Sequence, residues 1–109
     1  LTDVPDNALG MCDETFAPVA YVNSFDTEEN GIRLANHSRY GLAAYAFTAS
    51  AQTANLIGDA LQAGMVGVNS VAISTPETPF GGVKESGYGH EGGIEGLEVY
   101  MARKFISQG

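Results

Sequence analysis

The chain has 109 residues, 44% of them hydrophobic and 17% charged, and 13 acidic against five basic side chains give a formal net charge of −8. This length fits one domain and lies below what most two-domain enzymes need. The acidic excess argues against nucleic acid or an anionic membrane surface as a partner, because both attract basic patches.

The cysteine count and the hydropathy pattern restrict the class of protein further. The one cysteine excludes an intrachain disulfide, and no apolar run approaches the roughly 18 residues that a membrane span needs. The first residues, LTDV, lack the basic start and apolar core of a signal peptide. We therefore expect a cytoplasmic protein, and the missing initiator methionine suggests a chain that starts within a longer polypeptide or after processing.

The first predicted elements are a strand and a helix. Valine and aromatic residues over 19–25 predict a strand. Asp26 is suited to cap a helix, since Glu29 lies three residues on and acidic side chains favour the positive end of the helix dipole. This helix is predicted to end at residues 36–38.

The next predicted elements are a second strand, a second helix and a third strand. After a turn at residues 40–41, the apolar run 42–48 predicts a strand covered on both faces, as in parallel sheets. Ser50 is predicted to cap a second helix, with Gly64 after its final turn as a left-handed C-cap. Residues 65–68 then predict a short buried strand.

The order strand, helix, strand, helix, strand predicts an α/β fold, with parallel strands in an open sheet and flanking helices. Ligands of such sheets gather beyond the carboxyl ends of the strands, so the long Ser-, Thr-, Pro- and Gly-rich segment 69–93 is the expected place for chemistry. From about Ile94 a short helix is predicted, followed by a strand over 99–107.

Residues 87–92 match the pattern G-x-G-x-x-G. A dinucleotide fingerprint must follow a strand and begin a helix, whereas a loop precedes this one, and Glu91 would place negative charge beside a phosphate. We therefore favour a structural glycine turn over a phosphate site.

The remaining nucleophile and metal candidates are weak. Cys12 is the one thiol, but its neighbours Asp13 and Glu14 disfavour a thiolate, so we predict no catalytic role for it. His37 and His90 lack the converging ligands of a metal site. We expect His37 near a helix C-terminus, His90 on a solvated loop, and no bound metal.

Two segments have side chains suited to ligand binding. The carboxylate of Glu14 could accept two sugar hydroxyls while Phe16, two residues on, packs against a ring; the alternative is an exposed acid and a core phenylalanine. Hydroxyls of Ser70, Ser74 and Thr75 could donate to a carboxylate or carbonyl, or belong to an ordinary surface loop.

Together these segments resemble the C-terminal part of the aldehyde dehydrogenase superfamily over essentially the whole chain. The residues that carry the resemblance are 14–18 (ETFAP), 40–44 (YGLAA) with Phe47 and Thr48, 64–69 (GMVGVN) and 79–89 (PFGGVKESGYG). Residues 69–79 and 91–98 (EGGIEGLE) look most like the succinate-semialdehyde branch, whose members oxidise an aldehyde with NAD or NADP.

The resemblance implies specific roles. Glu14 would hold the nicotinamide ribose hydroxyls, Phe16 would pack near the nicotinamide, and Ser74 would bind the distal carboxylate of a small aldehyde substrate. Residues 1–98 would be the C-terminal part of the catalytic domain, and residues 99–109 an oligomerisation strand that joins a neighbouring subunit in a homo-oligomer.

The resemblance also implies what this chain lacks. The family's catalytic cysteine, general-base glutamate and Rossmann domain lie upstream, so no catalytic residue is predicted here and the isolated chain is expected to be inactive. The family motif has glycine where this chain has Ala17, whose methyl group is expected to crowd the turn. The alternative is a free-standing, non-catalytic α/β binding or assembly module with the same architecture.

Overall fold

The computed structural model describes residues 1–109 and contains four helices and four strands. In chain order they are α1 Leu9–Cys12, α2 Glu28–Asn36, β1 Tyr40–Gly41, β2 Ala43–Ala46, α3 Ala51–Ala60, β3 Met65–Val68, β4 Val83–Lys84 and α4 Glu95–Glu98.

The central feature is the parallel pair β2 and β3. Ala43 lies opposite Met65 and Ala46 opposite Val68, so the two strands are in register over their full length. Helix α3 connects them, which is the crossover that parallel strands require. The predicted strands 42–48 and 65–68 are thereby confirmed, the first with shorter bounds, and the predicted α/β class with them.

Two helices begin at hydroxyl caps. Ser50 accepts a hydrogen bond from the Thr53 amide, as predicted for α3. The predicted cap of α2 was wrong by one residue: Thr27, not Asp26, accepts from the Asn30 amide, at 3.1 Å. Both side chains are competent caps, and the extended backbone of Thr27 aims its hydroxyl at the first helical turn.

Predictions at the ends of elements were less accurate. The C-cap of α3 is Leu61, in extended conformation, so Gly64 is not the left-handed cap predicted for it. Residues 40–41, predicted as a turn, form β1, which pairs antiparallel with β4. The short helix predicted from about Ile94 is present as α4.

Two predicted strands are absent. Residues 19–25 contribute only one bridge, between Val22 and Thr2, and residues 99–107 form no strand. Both segments have residues that suit a pleated surface, but a strand needs a neighbour to supply its hydrogen bonds. Residues 1–4 supply only a few bonds to the first segment, at Ala20, Val22 and Asn23, and no strand pairs with the second.

Little of the chain is buried. Four of 109 residues are buried, namely Gly41, Met65, Gly67 and Gly81, and all four lie in or beside the strands. Large apolar side chains remain exposed, including Phe47 at 69% and Phe105 at 91%, and the chain extends over 66 × 33 × 25 Å. None of the helices is long and apolar enough to cross a membrane.

Candidate functional site

Glu14 lies in an irregular segment that follows α1 and borders an open cavity of about 260 Å³. The lining of this cavity also includes Asn36, Ser38, Gln62 and Ser86. Glu14 is exposed and takes part in none of the chain's ion pairs. Its carboxylate is therefore available to hydrogen-bond donors that come from outside this chain.

Phe16 projects from the same segment with 91% of its surface exposed. The core phenylalanine considered as an alternative is therefore wrong, and the ring is free to pack against another group. Ala17 is also exposed and is not among the residues with positive φ, so its methyl group does not strain the backbone and the expected crowding is not seen.

Arg39 pairs with Asp13, the residue that directly precedes Glu14 in the irregular segment after α1. Its guanidinium forms ion pairs with Asp13 and, at 3.5 Å, with Glu85, and it lies 5.1 Å from the ring centroid of Tyr40. The nearby carboxylate of Asp13, followed by that of Glu85 and by Tyr40, raises the pKa of Arg39. Because that pKa is raised, the Arg39 guanidinium keeps its charge at every pH up to the ordinary arginine value and loses it only above that value.

A glycine-rich loop formed by residues 79–89 borders the cavity through Ser86. Ser86 accepts a hydrogen bond from the Gly41 amide at 2.9 Å, and Lys84 donates from Nζ to the carbonyls of Asn36 and Ser38, both at 3.0 Å. These bonds hold the loop against β1 and the C-terminal end of α2.

Asn36, which also lines the cavity, links the two longer helices, α2 and α3. Its Nδ2 donates to the Ala60 carbonyl and its Oδ1 accepts from the Gln62 amide, both at 2.8 Å. The bonds satisfy groups at the end of α3, where backbone carbonyls lack helical partners. The cavity is thus bordered by helix ends, a strand and the glycine-rich loop.

Ser74 lies apart from this cavity, on the exposed loop that follows β3. Asn69 begins the loop with φ of 56°, and its side chain exchanges two hydrogen bonds with the Thr48 backbone, at 2.9 and 2.8 Å. The hydroxyls of Ser70, Thr75 and Thr78 bond within the loop, whereas that of Ser74 does not. Its hydroxyl therefore remains available to a ligand.

The G-x-G-x-x-G match has the geometry of a glycine turn. Gly87, Gly89 and Gly92 all have positive φ, a conformation that other residues rarely adopt, and no helix begins at the motif. The structural interpretation accounts for the spacing without a phosphate.

Cys12 and the histidines occupy unremarkable positions. Cys12 is half-buried at the end of α1, with its thiol 3.6 Å from the Asp6 carbonyl oxygen. His37 is the C-cap residue of α2, close to the helix C-terminus as predicted. His90 directly follows the glycine-rich loop and is half-buried rather than fully solvated as predicted. These three side chains belong to no group of three or more residues that could hold a metal ion.

The residues that sequence reasoning missed are Arg39, Asn36 and Ser86. One signal was present: in a chain with only five basic residues, Arg39 is a rare cation beside the Y-G segment. The partners of Asn36 and Ser86 lie 24 or more residues away in sequence, so no local pattern indicates them.

Comparisons with known proteins agree with this architecture. The sequence model of the aldehyde dehydrogenase family matches residues 1–106. The chain therefore belongs to the aldehyde dehydrogenase family. Among solved structures, betaine aldehyde dehydrogenase of Staphylococcus aureus is 38% identical with a TM-score of 0.90, over 94% of this chain and 21% of that chain. A Mycobacterium tuberculosis aldehyde dehydrogenase complexed with NAD+ is also 38% identical, with a TM-score of 0.85, over 91% of this chain and 20% of that one.

Curated relatives are similar over the whole chain. The 4-(hydroxymethyl)benzenesulfonate dehydrogenase TsaD1 of Comamonas testosteroni is 47% identical over 97% of this chain and 22% of its own length. A mitochondrial succinate-semialdehyde dehydrogenase of Arabidopsis thaliana is 47% identical over 100% of this chain and 21% of its own length. The chain thus spans about a fifth of the relatives that it matches.

Proposed function

We propose that this chain is the C-terminal part of the catalytic domain of an NAD(P)-dependent aldehyde dehydrogenase that oxidises an aldehyde to the carboxylic acid. The observation that carries the proposal is the free carboxylate of Glu14, which borders a cavity and lies in one of the segments that resemble the family. Residues 1–98 would belong to the catalytic domain and residues 99–109 to an oligomerisation strand.

The residues on this chain fit a nicotinamide cofactor. A ribose offers two adjacent hydroxyls, and the unpaired carboxylate of Glu14 can accept both. The exposed ring of Phe16 offers an apolar surface two residues away for packing near the nicotinamide. The cofactor would accept hydride from the substrate, while Glu14 and Phe16 would orient its nicotinamide end.

The substrate class that we propose is a small aldehyde with an acidic group remote from the reacting carbon, succinic semialdehyde above all. Three relatives support this class, because they are named as dehydrogenases of a (hydroxymethyl)benzenesulfonate, of succinate semialdehyde and of aspartate semialdehyde. Ser74 would donate its free hydroxyl to that remote group. No lysine or arginine lies in residues 69–78, so a balancing cation must come from elsewhere in the protein.

The isolated 109-residue chain is expected to have no dehydrogenase activity. The resemblance to the family places its nucleophile, general base and cofactor domain upstream of this chain, and the Cys12 thiol has the Asp6 carbonyl oxygen as its hydrogen-bond partner, at 3.6 Å. Reduction of NAD+ or NADP+ by the purified chain with succinic semialdehyde would contradict this expectation. A free-standing, non-catalytic binding module remains the alternative, and a start codon directly before Leu1 would support it.

Two further properties stay predictions. Homo-oligomerisation through residues 99–109 is supported by the exposed apolar side chains there, including Tyr100, Phe105 and Ile106. A cytoplasmic location is the second, and the relatives from Arabidopsis thaliana and Homo sapiens are named as mitochondrial proteins.

The role of Glu14 is tested by Glu14→Gln in the full-length gene product that contains this chain. Loss of a charged acceptor is expected to raise KM for the cofactor about tenfold. Glu29→Gln is the matched control, because Glu29 is an exposed carboxylate in the first turn of α2. An unchanged cofactor KM in Glu14→Gln would contradict the assignment of Glu14 to the ribose.

A further inference from the structure

The segment that carries Glu14 has few attachments to the rest of the chain. Within residues 14–18 no helix or strand forms, and the Thr15 hydroxyl lies 3.3 Å from that of Tyr21. The firmest attachment precedes it, where Asp13 pairs with Arg39. A segment of this kind relies on its flanking contacts to keep a ligand-binding side chain in place.

Arg39 is itself well anchored. Its carbonyl accepts the Glu85 amide at 3.1 Å, directly beside the β1–β4 pair, and its guanidinium also pairs with the Glu85 carboxylate at 3.5 Å. Its guanidinium also donates a hydrogen bond of 3.0 Å to the Tyr40 hydroxyl, in addition to the ion pair with Asp13. The planar guanidinium can serve several acceptors at once, which a lysine ammonium does less well.

These contacts join the two sides of the cavity. Asp13 immediately precedes Glu14, and Glu85 immediately precedes Ser86, which also borders the cavity. Without the cation, Asp13 and Glu85 would lose their shared partner next to the Glu14 carboxylate, in a chain with a net charge of −8. Arg39 therefore supplies both a mechanical link and local charge balance.

We infer that Arg39 is a positioning residue, which holds the Glu14 carboxylate beside the cavity by joining Asp13 to the glycine-rich loop at Glu85. This inference rests on the proposed role of Glu14 in binding the nicotinamide ribose. Arg39 would not contact the cofactor, and its effect would be specific to cofactor binding.

The test is steady-state kinetics of Arg39→Met in the full-length gene product. Because the ion pairs are partly exposed, KM for the cofactor is expected to rise about three- to fivefold. At saturating cofactor, kcat and KM for the aldehyde should change less than about twofold, whereas a general structural defect would lower kcat and raise KM for the aldehyde. Arg33→Met is the matched control, because Arg33 is exposed on α2 and bonds only to Asn30 on its own helix.

Two more variants test whether Arg39 acts on Glu14 through its ion pair with Asp13. Asp13→Asn should raise the cofactor KM as Arg39→Met does, and the double variant should add little to either, as expected for residues that act through one contact. Arg39→Lys should recover part of the affinity. Additive effects of Asp13→Asn and Arg39→Met, or an Arg39→Met value within about 1.5-fold of the original protein, would overturn the inference.

The Glu14→Gln variant separates the two proposals. If it raises the cofactor KM while Arg39→Met does not, the positioning role fails and the ribose assignment stands. If Glu14→Gln has no effect, the ribose assignment fails, and the positioning role that depends on it fails as well.

Discussion

Lys84 donates from its Nζ to the main-chain carbonyl of Asn36, the last residue of α2, at 3.0 Å. A second bond of the same length reaches the Ser38 carbonyl. Carbonyls at a helix C-terminus lack helical partners and carry the negative end of the helix dipole, so an ammonium group is a favourable partner. Through this contact the glycine-rich loop is joined to α2 beside the cavity.

Replacement of Lys84 by methionine is expected to lower stability. Lys84→Met keeps much of the apolar stem but leaves two half-buried carbonyls without their donor, which should cost about 1–2 kcal/mol. The measurement is the thermal unfolding midpoint of the full-length gene product. Arg33→Met is the control, because Arg33 is exposed on α2 and its side chain bonds to Asn30 on the same helix. Equal midpoints for the two variants would contradict the role of Lys84.

Gly64 and Gly58 offer a matched pair of glycine-to-alanine changes. A Cβ at Gly64 would collide with the carbonyl oxygen of Gly81, whereas at Gly58, in the middle of α3, it would meet nothing within 4 Å. We expect Gly64→Ala to destabilise the protein by about 2 kcal/mol or more. We expect Gly58→Ala to stabilise it by about 0.5–1 kcal/mol, because glycine is unfavourable inside a helix.

Denaturant unfolding of the two variants provides the measurement. The collision at Gly64 is between backbone atoms, so it cannot be relieved by a side-chain rotation. A Gly64→Ala midpoint equal to or above that of the original protein would show that the glycine-rich loop does not pack against the start of β3 as described.

Local patterns predicted the inner elements of the fold well. The apolar run that became β2 and the Ser50 cap of α3 depend on neighbours only a few residues away. The α2 cap was misplaced by one residue because Asp26 and Thr27 have similar capping chemistry, and only the backbone conformation distinguishes them. The strand expected over 19–25 is reduced to one bridge with Thr2, and the strand expected over 99–107 is absent. Strand formation depends on a partner, and this chain places only residues 1–4 beside the first segment and no strand beside the second.

The candidate site was predictable only in part. The roles predicted for Glu14 and Phe16 came from the resemblance to the aldehyde dehydrogenase family, because side-chain chemistry alone left an exposed acid and a core phenylalanine as an alternative. The structure leaves both side chains exposed. Their surroundings were not identified, because the contacts from Arg39 to Asp13 and from Lys84 to Asn36 join residues 26 and 48 positions apart. Contacts of such range depend on how the chain folds back on itself rather than on any local pattern.

Ser74→Ala is expected to change substrate preference. If Ser74 donates to the remote carboxylate as proposed, its loss in the full-length gene product should raise KM for succinic semialdehyde about tenfold. KM for an uncharged aldehyde of similar size should change little. Ser70→Ala is the control in the same loop, because the Ser70 hydroxyl is already used by the Ala72 amide. Equal effects of Ser74→Ala on both aldehydes would remove Ser74 from the carboxylate role.

A charge in the C-terminal segment is expected to weaken self-association. Phe105 is 91% exposed, and Ile106 beside it is 75% exposed, so neither side chain is stabilised by packing within the chain. If residues 99–107 pair with a neighbouring subunit, Phe105→Asp would place a carboxylate in that interface and should lower the molar mass measured by light scattering at micromolar concentration. Asn55→Asp adds the same charge on the exposed surface of α3, outside residues 99–109, and should leave the mass unchanged. Identical masses for the original protein and both variants would argue that these apolar residues serve another contact, because buried interface aromatics rarely tolerate a charge.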